Sequence, residues 1–582
     1  MSHAYPKKEG IMQYDLLIRG GTIYDGLGAP GFRGDIAVSG GKIVAVGKVS
    51  GEARETITAD GLAVAPGFID VHTHYDAQIL WDPLLTSSCW HGVTTVVMGN
   101  CGLALAPCRP EHREFLRDLF SRVEGVEAEV LEKGVPWGWV TFSEYMNAVE
   151  RLRPGLNVIP LMGHSAIRTF VMGPDAVQRE ATETELAQMQ EAVREGMRAG
   201  AAGLSISRSP AQIGAHGEPM PGKVATHAEL IALCQTVAEF GRGFFEIQPK
   251  ILFVDKEEQE REEDWELLRT IARRTGLPTT WVGILHQWDR PQLWRQMLDK
   301  TDQAIDEGLP IYPQASCRNL LLRFTLDGVA TLFDDMPHWK QVTSAPVEER
   351  KRLFRDPSVR KGLRYDIVDD PTPRVFCRRW DLLSVTSATL EKNKPLQGKN
   401  MAEIAQAMEK DVLDAFLDLA LEEDLKTGFN TVVLNGDDEA VRTMITHPAA
   451  LVSLSDGGAH VQFLCDTSYP SHLLGYWVRE KQAMSVEKAV QVLAATPARV
   501  MGLEDRGTIE PGKAADLVVF DATRIRPLAV ETVYDLPGGY PRLCQGAEGI
   551  HCTIINGSVF TKHGEHTGGY PGRLLRGSTR AA

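Results

Sequence analysis

Residues 67–75 read GFIDVHTHY, and His72 and His74 stand one residue apart where a short apolar run ends. Alternate side chains of a strand share a face, so both imidazoles point the same way. Two neutral imidazoles placed so can bind one metal ion. The plainer reading is a polar pair capping a strand. Asp456, within LSDGG, offers a carboxylate that can ligate a metal and accept a proton, or simply occupy a turn. Cys101, within GNCG, offers a thiolate that could close or bridge such a site, or fills a small apolar slot. Zinc accepts imidazole, thiolate and carboxylate alike. A metal of this kind lowers the pKa of water from roughly 16 toward about 7. A carboxylate that then passes the proton to a leaving nitrogen completes the hydrolysis of an amide. His-X-His with a distant aspartate is much less expected by chance than either alone.

These residues must be brought together by the elements that carry them. Eight short apolar runs qualify as strands: 67–74, 93–102, 156–165, 201–209, 243–250, 279–287, 309–316 and 449–460. Helical patterns such as ETELAQMQEAVREGMRAG and HAELIALCQTVAEFG lie between them. This alternation predicts an α/β fold, a (β/α)8 TIM barrel, whose chemistry sits at the carboxyl ends of the strands. Read there, the first strand gives His72 and His74, and the second Asn100 and Cys101. The third gives His164 and Arg168, and the fourth Ser205, Ser207 and Arg208. The fifth gives Glu246, Gln248 and Lys250, the sixth His286, the seventh Tyr312, and the eighth Asp456 and His460. His286 is a candidate ligand; His164 is read as structural or substrate-contacting.

The first stretch, YDLLIRGGTIYDG to TITADGLAVAPG, reads as short strands with Gly-Gly and Asp-Gly turns, and the texture returns in GTIEPGKAADLVVFDA and IHCTIINGSVFTKHG. Both ends are therefore expected to pair into one small β-sandwich. The predicted division is 1–65 and 505–582 for that β domain, and 66–504 for the barrel. Residues 317–448 separate the seventh and eighth runs, too long a span for a plain loop. An inserted subdomain is expected at about 320–445 on the carboxyl side. Its Trp339, Arg378, Arg379 and Trp380 are read first as packing and surface charge.

The chain has 582 residues, 43% of them hydrophobic, enough for a sizeable core. No run reaches the roughly 18 apolar residues of a membrane span. The start, MSHAYPKKEGIMQYD, lacks the apolar stretch of a secretory signal. A formal net charge of −15, spread along the chain, argues against nucleic acid and anionic membrane as partners. Nine irregularly spaced cysteines imply no disulfide framework and fit a reducing cytoplasm. The expected partner is a small-molecule substrate; self-association into a homo-oligomer stays open.

Taken together, LLIRGGTIYDG, APGFIDVHTHYD, VTTVVMGNCG, MGHSAIR, GLSISR, IYPQAS, LSDGGAH and the ending GTIEPGKAADLVVFDA…GEHTGGYPGRLLRG resemble the amidohydrolase superfamily. Within it they resemble the D-aminoacylase (N-acyl-D-amino-acid deacylase) family. The resemblance implies a zinc-dependent amide hydrolase with metal contacts from His72, His74, Cys101 and Asp456, and Asp456 as general acid/base. In this family a cysteine replaces the bridging carboxylated lysine of many relatives. Two departures stand out. The family's strand-five histidine is replaced by Gln248 in FFEIQPK, and His286 falls later than the strand-six histidine. One tight zinc site is therefore expected, with a second left open. The family's His-Pro-Arg after the strand-eight aspartate is also missing, and with it the arginine that holds the substrate carboxylate. Arg168, Arg208, Arg318 and Lys250 are the remaining candidates for that clamp, with Gln248, Tyr312 and His164 nearby. The alternatives are a different amide, a cyclic amide or a carbamate as substrate, or a non-catalytic scaffold on the same fold.

Overall fold

The computed structural model describes residues 14–577 except 211, 216, 251–257, 329, 334, 373 and 463. Most of the N-terminal stretch read above for a secretory signal thus lies outside the described residues. All eight expected strands form. In chain order they are Phe68–Asp70 with His72–Thr73, Val93–Met98, Asn157–Pro160 with Met162–Gly163, Gly203–Ser207, Phe244–Gln248, Thr279–Ile284, Ile311–Ala315, and Leu451–Val452 with Leu454–Gly457. Neighbours pair in parallel around a full ring: Asp70 opposite Val96, Met98 opposite Pro160, Gly163 opposite Ser205, and Ser207 opposite Gln248. Glu246 then lies opposite Thr280, Val282 opposite Gln314, Ala315 opposite Val452, and Leu454 opposite His72. The last pairing closes the barrel.

Local sequence explains the elements. The helix Glu183–Ala199 opens on a capping box between Thr182 and Glu185 and ends at Gly200, whose φ of 106° suits a residue without Cβ. The fifth strand alternates: Phe245 and Ile247 pack outward with the helices, while Phe244 turns inward. Phe244 joins Ile69, Val71, Val97, Ile159, Leu161 and Leu451 in an apolar plug inside the barrel. Burying each such side chain contributes about 1.5–3 kcal/mol. The plug leaves the opposite, carboxyl-end mouth for polar groups.

Both chain ends build one nine-stranded sheet. Leu517–Phe520 lies antiparallel between Ala63–Pro66 and Ile550–Ile555, so the two ends meet there. Alternation along Tyr14–Ile23 serves both faces: Leu16 and Ile18 enter one small core, Leu17 another. The domain is fastened to the third barrel strand by Asn157, which donates to Asp516 at 3.0 Å and accepts from Asn556 at 2.8 Å.

Between the seventh and eighth strands, Leu320–Phe324, Leu383–Ser387 and Gly428–Leu434 form an antiparallel sheet flanked by short helices. Its own core includes Phe333, Trp339, Phe416 and Phe429, and continues onto Val282, Leu285 and Leu454 at the ends of strands six and eight. Trp339 is fully buried and stacks on Phe333 at 4.1 Å, and Trp380 packs on Phe416. Arg378 donates to backbone carbonyls of Asp370 and Thr372. Arg379 pairs with Asp381 and lies over the Trp288 ring, 4.1 Å from its centre. Packing holds the two tryptophans, while hydrogen bonds, an ion pair and a ring contact hold the two arginines.

Candidate metal centre

His72 and His74 leave the first strand at the mouth, and both turn Nε2 toward one carboxylate oxygen. Asp456 Oδ1 lies 3.3 Å from His72 Nε2 and 3.7 Å from His74 Nε2. Each ring is held from behind. Gln314 Oε1 lies 2.7 Å from His72 Nδ1, while the Gln314 amide nitrogen donates to Thr280 at 3.1 Å. That second bond orients the amide, so His72 carries its proton on Nδ1 and presents a bare Nε2. Glu124, the last residue of the helix Arg113–Glu124, places Oε1 3.3 Å from His74 Nδ1.

Cys101 closes the third side, its Sγ 3.4 Å from His72 Nε2. Ligand atoms of His72, His74 and Cys101 all fall within 4.8 Å of one another. The turn that carries Cys101 is pinned by three neighbours. Asn100 donates to Thr73 O, the Gly102 N–H donates to Ser205 Oγ, and the Cys101 N–H donates to Glu246 Oε2 at 2.7 Å. Cys101 and Asp456 both adopt left-handed backbone, φ 52° and 51°. Such strain in non-glycine residues is characteristic of sites where the surroundings dictate geometry. The Asp456 side chain keeps 25% exposure against 1% and 3% for the two histidines, so it is the group a substrate can reach.

The electrostatics call for a cation. Burial, then repulsion from Asp456, lifts Asp70 to about 8 and Glu246 to about 8. Burial likewise lifts Asp76 to about 7 and Glu124 to about 7. Burial opposes a charged His74, yet Glu124, Asp456 and Asp76 outweigh it and raise it to about 9. His72 is pushed down to about 4, chiefly by burial. Burial also works against the Asp456 carboxylate, but contact with His74 and the charges of His72 and His460 hold it well below the usual range. Asp70 Oδ2 and Glu246 Oε1 are buried without hydrogen-bond partners, and Glu124 Oε1 has only its 3.3 Å ion-pair contact with His74 Nδ1. Two imidazoles, a thiol and a carboxylate, with further carboxyl groups buried around them, fit a divalent metal such as zinc.

Several residues expected at the mouth are committed elsewhere. Arg168 is fully buried, donating to Glu229 at 3.0 Å and to two backbone carbonyls; His164 shares Glu229 at 3.0 Å. Arg208 is buried on Asp264 at 2.8 Å and on Gly222 O. Arg318 is tied to Asp466 at 3.2 Å and to Gln545 at 3.0 Å. Lys250 Nζ lies 3.3 Å from Glu260. The buried guanidinium groups of Arg168 and Arg208 must be paired, and Arg318 and the partly exposed Lys250 have acidic partners as well. His286 stands outside the His72–His74–Cys101 group: its backbone N–H meets Asn435, and its ring lies edge-on to Trp288 at 4.9 Å. Tyr312 is corrected too. It sits near the start of its strand against the apolar plug, at the far end from the mouth. Gln314, two residues later on the same face, is the strand-seven residue that reaches the site. Gln248 faces inward and accepts from Ser207 Oγ at 3.0 Å. Glu124 carries no sequence signal, since it ends an ordinary amphipathic helix.

A model of the amidohydrolase family matches residues 55–560. The chain is 27% identical to a D-aminoacylase of Alcaligenes xylosoxydans xylosoxydans over 97% of each protein. It is 29% identical to an N-acyl-D-glutamate deacylase of the same organism, over 97% of this chain and 96% of that one. A crystal structure of N-acyl-D-glutamate deacylase from Bordetella bronchiseptica, complexed with zinc and a phosphonate inhibitor, superposes with a TM-score of 0.64 at 27% identity. That match covers 97% of this chain and 99% of the other. With residues 55–560 matched and the barrel closed around His72, His74 and Cys101 with Asp456 beside them, the chain belongs to the amidohydrolase family.

Proposed function

We propose that this hydrolase cleaves the amide bond of N-acyl-D-amino acids at a single zinc site. The observation that carries the reading is the convergence of His72 Nε2, His74 Nε2 and Cys101 Sγ beside the partly open Asp456. A zinc ion held by these four would supply Lewis-acid activation of water and of the scissile carbonyl. The protein's own steps follow from placement. Asp456 accepts the proton of the attacking water and delivers it to the leaving nitrogen, yielding a carboxylate and an amine. Gln314 and Glu124 hold the imidazoles, and Cys101 is held by Glu246, Ser205 and Asn100 through its turn. Relatives named for D-aminoacyl and D-glutamyl substrates support the substrate class.

A second reading, a cyclic amide or carbamate as substrate, draws support from the arginines. Arg168, Arg208 and Arg318 are all engaged internally, which removes the obvious carboxylate clamps. The test is turnover of N-acetyl- and N-formyl-amino acids of both configurations, hydantoins and carbamates by zinc-loaded protein. Cleavage confined to the D-series supports the first reading. Turnover of the hydantoins or carbamates alone overturns it. Elemental analysis finding two tightly held metals per chain would refute the single site. The cytoplasm is our proposed location, supported by nine unpaired cysteines. Among the described residues no helix is long and apolar enough to cross a membrane.

A further inference from the structure

We propose that Glu246 is a further ligand of the metal, its carboxylate joining His72, His74, Cys101 and Asp456. The proposal rests on the metal-dependent reading above. Glu246 lies on the inward face of the fifth strand, in register with Ser205 on one side and Thr280 on the other. Those two neighbours support the site through the groups they bond. Ser205 accepts the Gly102 N–H beside Cys101, and Thr280 accepts from Gln314, which holds His72. Glu246 therefore sits in the layer that supports both ligands. It is fully buried. One oxygen accepts the Cys101 N–H at 2.7 Å; the other, Oε1, is buried with no partner. The charged groups acting on it are His74, Asp456 and Glu124, two of them anionic. A carboxylate with one saturated and one open oxygen, enclosed among other carboxylates, is costly unless a cation shares the enclosure. Holding the Cys101 turn requires only an acceptor, which a glutamine amide would supply at lower cost. The carboxylate is explained by the metal.

The test uses full-length protein stripped by chelation and titrated with zinc and with cobalt. Glu246→Gln keeps an acceptor for the Cys101 N–H and removes the anionic ligand. We expect its zinc affinity to fall at least roughly tenfold, with an altered cobalt absorption spectrum. Stripped Glu246→Gln should melt at or above the wild-type temperature, because a buried charge is gone, and gain less on adding zinc. Glu246→Asp keeps the charge on a shorter arm; it should bind zinc more tightly than the glutamine variant, with its own cobalt spectrum. Equal zinc affinity and an unchanged cobalt spectrum in Glu246→Gln overturn the proposal and leave Glu246 as an anchor for the turn. If that variant does not fold, a wild-type cobalt spectrum in Glu246→Asp overturns it instead. Wild-type protein that binds neither metal would sink the metal-dependent reading and this proposal together.

Discussion

On the proposed mechanism Asp456 is the residue on which the chemistry turns, because it alone among the convergent groups is both anionic and open to the mouth. Replacing it with asparagine removes the proton acceptor and keeps the shape. We expect turnover to fall by about 10²–10⁴-fold with circular dichroism and melting little changed. Activity within tenfold of wild type would remove Asp456 from its general-base role. Gln314 acts through His72. Gln314→Leu leaves the Nδ1–H without its acceptor at 2.7 Å and frees the ring to rotate or change tautomer. Zinc affinity, measured by competition with a chromogenic chelator, should fall about 10–100-fold. An unchanged affinity would show that the strand itself orients the imidazole.

At the scale of elements, the third and fourth βα units are joined by a buried charge network. Glu229 takes His164 and Arg168 at 3.0 Å each, with Arg168 fully enclosed. Burial works against the Glu229 carboxylate, but these two partners hold it below its ordinary range. Its folded pKa is thus depressed, so its stabilisation is complete above the unfolded carboxylate value and is lost as pH falls through the folded one. Glu229→Gln strands the Arg168 guanidinium and should cost about 3–5 kcal/mol at neutral pH. Denaturant melts at a series of pH values should show the variant's deficit shrinking toward acid. A deficit constant with pH would mean that packing, not charge, holds these helices.

Across the whole molecule, the insertion and the barrel share one apolar surface through Val282, Leu285 and Leu454. The insertion's own stability rests on the stack of Trp339 on Phe333. Trp339→Ala should remove about 3–5 kcal/mol from that core. Hydrogen exchange followed by mass spectrometry should then rise across 320–434 and stay slow in the barrel strands. Exchange rising equally in both would show that the insertion and barrel unfold as one unit.

The barrel and the convergence of His72 and His74 were legible in the residues because period and chemistry are local. Apolar runs of strand length alternate with helical patterns, and His-X-His on a strand shares a face whatever surrounds it. The insertion and the pairing of the chain ends were readable for the same reason, as breaks and returns in that texture. What a side chain touches is not local. Arg168, Arg208 and Arg318 read as free clamps at strand ends, yet each found a buried acid contributed by a distant segment. Tyr312 and Gln314 share a face of one short strand, and only the closed ring decides which lies at the mouth and which at the plug. His286 stands at the right strand end, but its ring lies edge-on to Trp288 and outside the His72–His74–Cys101 group. Glu124 enters the site from a helix terminus 50 residues beyond His74, a proximity created solely by closure of the fold. Residue types and spacing determined the fold and the kind of chemistry. Long-range packing decided which charges are neutralised internally and which remain to meet a metal and a substrate, because burying an ion forces it to take whatever partner the fold provides.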